Sequence, residues 1–258
     1  MSAHAAVQAP GPYALKRPLD LLAAVLALLL SSPFLLLALL LVFVQDFRNP
    51  LYVSERIGRG GRPFRFLKVR TMRVNSSASQ VDTTVAGDPR LTPVGRAIRV
   101  MKFDELPQFL HVLSGQMSMV GPRPNVPREV ALYTGEELRL LSVRPGITDL
   151  ASIVFADLAA TLADAPDANI AYNQLVRPWK SRLGLHYLRC ASLGSDLLII
   201  CYTVSVLFAR QWTLRRIAVL LRGSGAPEDL CRFVLRDAPL RPLPPPGASE
   251  IVTTRSVK

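Results

Sequence analysis

Two adjacent carboxylates, Asp104 and Glu105, stand in the stretch MKFDELPQ at residues 101–108. An ionised carboxylate there could hold a divalent cation, or attack a phosphoryl centre while nearby cations absorb the charge. The cations are at hand, because Arg96, Arg99 and Lys102 precede the pair within two helical turns. A competing reading makes Asp104 the N-cap of the helix expected over QFLHVLSG, with Glu105 matching its dipole and Pro107 tolerated in its first turn. Neighbouring residues on a regular helix point about 100° apart, so the two carboxylates should take different roles.

Two more arginines sit in proline-stiffened turns, Arg123 in GPRP and Arg144 in RPG. Either one alone reads as a surface turn. As a pair of fixed guanidinium groups they suit bidentate recognition of a diphosphate. With Arg99, and with Lys68 and Arg70 from a basic stretch nearer the N-terminus, they form the candidate phosphate-binding set. Cys190, Cys201 and Cys231 are far apart, with no CxxC, so neither a disulfide framework nor a thiolate metal site is indicated. A reducing compartment is the default. His4, His111 and His186 are equally scattered. Chemistry or metal binding therefore falls to the carboxylates.

The elements that must position these residues start with a membrane-seeking one. From Leu21 to Val44 the chain runs for 24 residues interrupted only by Ser31, Ser32 and Pro33, enough to cross a bilayer that needs about 20 apolar residues. It is too long for a signal peptide and no small-residue cleavage site follows. Pro33 removes a backbone donor in mid-run, and the serine hydroxyls can serve the freed carbonyls. Lys16 and Arg17 precede the run, and residues 45–73 carry eight basic residues against two acidic ones. Positive-inside logic asks for both ends on one side of the membrane, which a helix–break–helix hairpin allows and a straight helix does not. Residues alone leave a kinked spanning helix and a re-entrant hairpin both open.

The chain has 258 residues, 31 basic and 19 acidic, for a net charge of +12, and a mean hydropathy of +0.27. This fits one main globular domain with one or two membrane elements and an anionic partner, whether nucleic acid, lipid headgroup or phosphorylated substrate. LYVSERIGRGGRPFRFLKVRTM predicts two short strands around a glycine-rich turn, and its glycines lack the spacing of a phosphate-binding loop. Residues 74–93 read as a polar loop, and VGRAIRVMK at 94–102 as a basic amphipathic helix. Helical patterns return from 168 to 190. The apolar segment at 196–212 is too short to span and is expected to be interfacial or core-packed. Residues 1–15 read as a tail, and the Pro-rich C-terminus as disordered.

Taken in order, KRPLDLL…SSP, ERIGRGGRPFRFLKVRTM, LTPVGRAIRVMKFDELPQFLHVLSGQMSMVGPRP and VRPGITDLASI resemble the bacterial sugar transferase family, the monotopic polyprenyl-phosphate phosphoglycosyltransferases. The resemblance covers roughly residues 13–210. It implies an α+β, mostly helical protein: a re-entrant membrane helix over 16–46, a cytoplasmic catalytic domain over 47–212 with a short β-hairpin and interfacial helices, and an extension over 213–258. The Ser-Pro break matches Ser32 and Pro33 and selects the hairpin. The implied activity transfers a sugar phosphate from a nucleotide diphosphosugar, usually a UDP-sugar, to polyprenol phosphate at the cytoplasmic face of the bacterial inner membrane, with Mg²⁺. It is the first membrane step of exopolysaccharide, O-antigen or glycoprotein glycan assembly, with downstream glycosyltransferases as potential partners. By motif match the nucleophile falls on Asp104 and the supporting acid/base or metal residue on Glu105. The chain departs from the common pattern in MKFDELPQ, where many members have SLDELPQ, and in RPGITDLASIVFAD, where many have RPGITGWAQV.

Two other classes compete. A membrane-anchored, non-catalytic module would explain the charge and the apolar run but not a DE pair flanked by fixed arginines. A soluble nucleotide-sugar glycosyltransferase would want a DxD motif, which is absent.

Overall fold

The computed structural model describes residues 15–74 and 87–254. The expected N-terminal tail up to residue 14, and residues 75–86 of the expected polar loop, lie outside them. The described residues are mostly helical, as expected, with two small two-stranded sheets.

Helix α1 spans Lys16–Asp46 and is long and apolar enough to cross a membrane. At ~1.5 Å per residue it extends about 46 Å. The expected break between two helices is not an interruption of the helix, because Pro33 lies inside one continuous element. Pro33 has no N–H to give the carbonyl of Leu29 four residues back, and the Ser32 hydroxyl donates to that same oxygen at 2.9 Å. Most of the helix surface is apolar and exposed, including Leu26, Leu29, Leu30, Leu36, Leu37 and Leu40.

α1 docks on the globular body at both ends. Near its start Lys16 pairs with Asp196, and Asp20 accepts from the Ser118 hydroxyl at 2.7 Å and the Met119 amide at 3.1 Å. At its end Asp46 takes both terminal nitrogens of Arg70, each at 2.6 Å. Between these anchors Ala24 packs with Phe66, Val112 and Met117, while Ala38 and Val42 pack with Val69 and Ile98.

Strands β1 (Leu51–Ile57) and β2 (Pro63–Val69) pair antiparallel around a turn in which Gly60 and Gly61 take positive φ, as the glycine-rich sequence predicts. Helix α2 (Pro93–Val100) is capped by Thr92, whose hydroxyl accepts from the Gly95 amide at 2.9 Å. α3 covers Gln108–Leu113, and the chain turns at Gly115, with φ +83°. β3 (Ser118–Val120) and β4 (Gly146–Thr148) then pair in parallel. Sequence reading gave only rigid turns there, since strands of three residues show no alternation.

Short helices α4 (Pro127–Val130), α5 (Leu150–Val154), α6 (Leu158–Thr161) and α7 (Ala168–Ala171) lead through a π-helical turn at Tyr172–Val176 into α8 (Arg177–Cys190). α9 (Leu193–Ser205), α10 (Arg210–Gly223) and α11 (Glu228–Phe233) close the main core, which includes Ile153, Leu183, Ile199, Leu214, Ile217 and Leu221. α9 buries Ile199 and Tyr202 and exposes Leu197, Leu198 and Val204, so the segment is core-packed on one face and apolar on the other.

The Pro-rich terminus differs from the expected disorder. Arg182 donates to the Pro244 carbonyl, Thr134 Oγ1 to that of Pro246 at 2.5 Å, and Gln174 to that of Val252 at 2.8 Å. Proline lacks a donor but keeps its acceptor, and here polar side chains of the body supply the donors.

Candidate active site

Asp104 and Glu105 lie in a tight 3₁₀ turn, Phe103–Glu105, entered through Lys102 in the left-handed conformation at φ +60°. α3 starts only at Gln108, with Pro107 in the cap position and no side-chain cap. The N-cap alternative for Asp104 is therefore not realised. Asp104 is 3% exposed, and among the described residues its Oδ1 is buried without a hydrogen-bond partner, whereas buried polar atoms are nearly always satisfied.

Two elements bring cations to the pair. From β2, Lys68 Nζ lies 3.2 Å from Glu105 Oε1 and 3.7 Å from Asp104 Oδ2. From the GPRP turn, Arg123 binds the same Glu105 oxygen with one terminal nitrogen and gives the other to the Ile147 carbonyl at 2.7 Å. The Arg123 amide donates to Asp149 Oδ2 at 3.2 Å, while Asp149 Oδ1 caps α5 by accepting from Ser152.

The environment drives the two carboxylates apart. Burial pushes the Asp104 carboxyl above the usual aspartate range, Lys68 pulling against it and the neighbouring Glu105 charge adding to the push. Burial would raise Glu105 as well, but Arg123 and Lys68 outweigh it and hold that carboxyl well below the ordinary range. Glu105 is thus a fixed anion already partnered, and Asp104 a desolvated one with a free oxygen. Unequal environments of this kind assign unequal roles.

Beside the pair a cavity of about 160 Å³ opens, with Lys68 and Arg123 in its wall. Its other charged lining residues are Arg56, Asp149, Arg177 and Lys180, and its aromatic ones Phe66, Tyr133 and Tyr172. Arg177 is held by buried Glu137, to which Ser181 also donates at 2.6 Å.

Of the residues singled out from sequence, Asp104, Glu105, Lys68 and Arg123 come together. Arg99 is half-buried on α2, and its charge acts on Asp104. Arg70 is committed to Asp46 and to the Asn49 carbonyl at 2.9 Å. Arg144 gives its Nε to the Gly115 carbonyl at 2.9 Å, with the charges of Arg17 and Arg59 acting on it. Neither Arg70 nor Arg144 lines the cavity. Ser32 and Pro33 lie within α1. Sequence reading missed Asp149, Arg177, Glu137 and Lys180. Arg56 was visible only as one of eight basic residues.

Among the described residues, no group of three or more His, Cys, Asp or Glu could hold a metal. The free Asp104 oxygen and the Glu105 carboxylate still fit a Mg²⁺ ion, which typically takes one or two carboxylates and completes its shell with substrate phosphate and water.

A sequence model of the bacterial sugar transferase family matches residues 12–210. Among curated proteins, the chain is 36% identical over 76% of its length to the UDP-N-acetylgalactosamine-undecaprenyl-phosphate N-acetylgalactosaminephosphotransferase of Aeromonas hydrophila, of which it covers 44%. It is 42% identical over 54% of its length to the UDP-glucose:undecaprenyl-phosphate glucose-1-phosphate transferase of Caulobacter vibrioides, covering 53% of that protein. It is 41% identical over 52% of its length to the exopolysaccharide production protein ExoY of Rhizobium meliloti, covering 66% of that protein. The chain spans about half the length of these curated relatives.

Proposed function

The chain belongs to the bacterial sugar transferase family, and from that premise we propose that it is a phosphoglycosyltransferase that moves a sugar phosphate from a UDP-sugar to undecaprenyl phosphate and releases UMP. A carboxylate oxygen of Asp104 attacks the phosphorus that bears the sugar. The bond from that phosphorus to the bridging oxygen breaks, and UMP leaves with the electron pair. An anionic oxygen of the lipid phosphate then attacks the aspartyl phosphosugar, regenerating the Asp104 carboxylate and forming the polyprenyl diphosphosugar.

The observation that carries this reading is the unpartnered Oδ1 of buried Asp104 beside a Glu105 already neutralised by Arg123 and Lys68. Desolvation keeps the free oxygen reactive, and Lys68, Arg123 and Arg99 supply positive charge to the phosphoryl group. Glu105 holds Lys68 and Arg123 at that position. A Mg²⁺ ion held by Asp104 and Glu105 would spread the diphosphate charge when bound.

The active site belongs at the cytoplasmic face of the bacterial inner membrane, on a helix that enters and leaves the same leaflet. Support comes from the anchors at the two ends of α1, Lys16 to Asp196 and Asp46 to Arg70, which tie both to one globular body. The product would start an exopolysaccharide or related glycan.

The test uses the protein with UDP-sugar and Mg²⁺ but no lipid. About one equivalent of UMP should appear, and a sugar-phosphate adduct, labile to hydroxylamine, should map to the peptide containing FDELPQ. UMP release only after lipid is added, in a preparation shown to be active, would overturn the covalent route. Release of UDP would overturn the reaction class.

A further inference from the structure

Among the described residues five cations line the cavity beside the carboxylate pair: Arg56, Lys68, Arg123, Arg177 and Lys180. Three are ion-paired, Lys68 and Arg123 with the one Glu105 carboxylate and Arg177 with Glu137. The other two have no carboxylate within ion-pair distance among the described residues. The Arg56 Nε is buried without a hydrogen-bond partner, and its guanidinium lies 5.6 Å from the centre of the Phe66 ring. The Lys180 ammonium rests over two rings, 5.3 Å from the centre of Tyr172 and 5.9 Å from that of Phe155. Unpaired charge withdrawn from water is costly, and cation–π contact recovers only part of the loss. Two such cations facing one cavity make a site for an anion of about two charges.

The ligand chemistry is that of a phosphate ester, which in this reaction could belong to the nucleotide or to the lipid. The cavity favours the nucleotide. None of its lining residues comes from α1 or α2, the elements beside the exposed apolar surface from which a polyprenol would arrive. Its wall carries Tyr133, Tyr172 and Asn125, the last donating to the Tyr133 hydroxyl at 2.7 Å. The Arg123 charge acts on both Arg56 and Lys180, and the same guanidinium binds Glu105.

We infer that Arg56 and Lys180 form the subsite for the phosphate on the nucleoside half of the donor, while Lys68 and Arg123 serve the phosphate that is transferred. This rests on the function proposed above. When Asp104 attacks, the bond between the sugar-bearing phosphorus and the bridging oxygen breaks, and its electron pair stays on that oxygen. The nucleoside phosphate thereby goes from one negative charge to two, and no proton is needed. Arg56 and Lys180 meet the charge that develops there.

The experiment titrates the full chain in lipid nanodiscs with UMP, with uridine and with inorganic phosphate, in wild type, Arg56→Gln, Lys180→Gln and Lys180→Arg. The wild type should bind UMP well and uridine poorly. Each glutamine variant should lose at least about tenfold in UMP affinity and raise KM for the UDP-sugar with KM for undecaprenyl phosphate unchanged. Lys180→Arg should recover most of the binding, which a variant that merely misfolded could not explain. UMP binding equal to wild type in the glutamine variants overturns the inference, as does an effect on KM for the lipid alone, which would assign the subsite to the lipid phosphate. The function can fail separately: UMP binding that depends on Arg56 and Lys180, without UMP release from any UDP-sugar, would sustain the subsite and sink the transferase reading.

Discussion

Gly121 and Gly146 lie back to back. A Cβ on Gly146 would fall 2.1 Å from the Gly121 nitrogen, and one on Gly121 would fall 2.6 Å from the Arg144 carbonyl oxygen. The approach lets the Gly121 amide reach the Thr148 carbonyl and the Gly146 amide reach the Pro122 carbonyl, each at 3.1 Å. Arg123 follows two residues after Gly121 and spans from the Ile147 carbonyl to Glu105. The crossing of the two proline-rich turns thus sets where the Arg123 guanidinium lies.

Gly146→Ala should therefore damage the site. The atoms it meets are backbone, which cannot swing aside as a flexible side chain can, so the β3–β4 pair has to open. A loss of transfer on the order of 100-fold is expected, from displacement of a catalytic charge. Gly135→Ala is the control, since nothing lies within 4 Å of its Cβ position. Equal activity in the two variants would show that the crossing does not position Arg123.

Asp104→Asn should abolish transfer, by on the order of 10³-fold or more, and leave the melting temperature near wild type or above it. Asp104 caps no helix and its Oδ1 has no partner, so the amide removes a buried charge without breaking a hydrogen bond. Glu105→Gln should behave differently, because it uncouples Lys68 and Arg123 from their shared anion, and both activity and stability should fall. Turnover rates and thermal unfolding of the two variants separate the roles. Near-normal turnover in Asp104→Asn would remove it as the nucleophile.

What was legible in the sequence was what local chemistry dictates. The apolar run, the glycine turn between β1 and β2, the stop at Gly115 and the nearness of cations to the DE pair all follow from residues close in the chain. The arginines were not separable that way. Arg70 and Arg123 look equally suited to phosphate, and only the fold gives Asp46 to the first and Glu105 to the second. The Asp104 cap reading failed because Lys102 turns left-handed and the helix starts four residues later than the carboxylate. Arg177 and Lys180 reach the cavity from more than 70 residues beyond the carboxylate pair, which no spacing rule captures. Composition misjudged the tail, since proline-rich backbone still offers carbonyls to Arg182 and Thr134.

For the membrane helix, cysteines placed singly at residues 10 and 60 should both be shielded from a membrane-impermeant thiol reagent in intact cells. The basic flanks and the anchors at each end of α1 are the grounds for this expectation. Labelling at residue 10 alone would mean a spanning helix. Pro33→Leu restores the donor for the Leu29 carbonyl and frees the Ser32 hydroxyl from that contact. It should favour a spanning helix and move residue 10 to the labelled side in a fraction of the molecules.

Lys180 gives the subsite a signature in pH. Burial pulls its ammonium down to about 8, against the pull of Asp149 and helped by the Arg123 charge. The other groups about it are the Tyr172 ring, whose hydroxyl burial pushes far above neutrality, and the uncharged Phe155 ring. Below pH 8 the free protein holds Lys180 charged and the donor phosphate has its full complement of cations. As pH rises through about 8 the ammonium is lost, so kcat/KM for the UDP-sugar should fall, about tenfold per unit at the steepest for a single required proton. The bound donor diphosphate favours the charged amine, so the same limb in kcat should lie at higher pH. Lys180→Arg keeps its charge throughout this range and should carry the kcat/KM limb upward with it. A basic limb near pH 8 that survives unchanged in Lys180→Arg would show that another group titrates there.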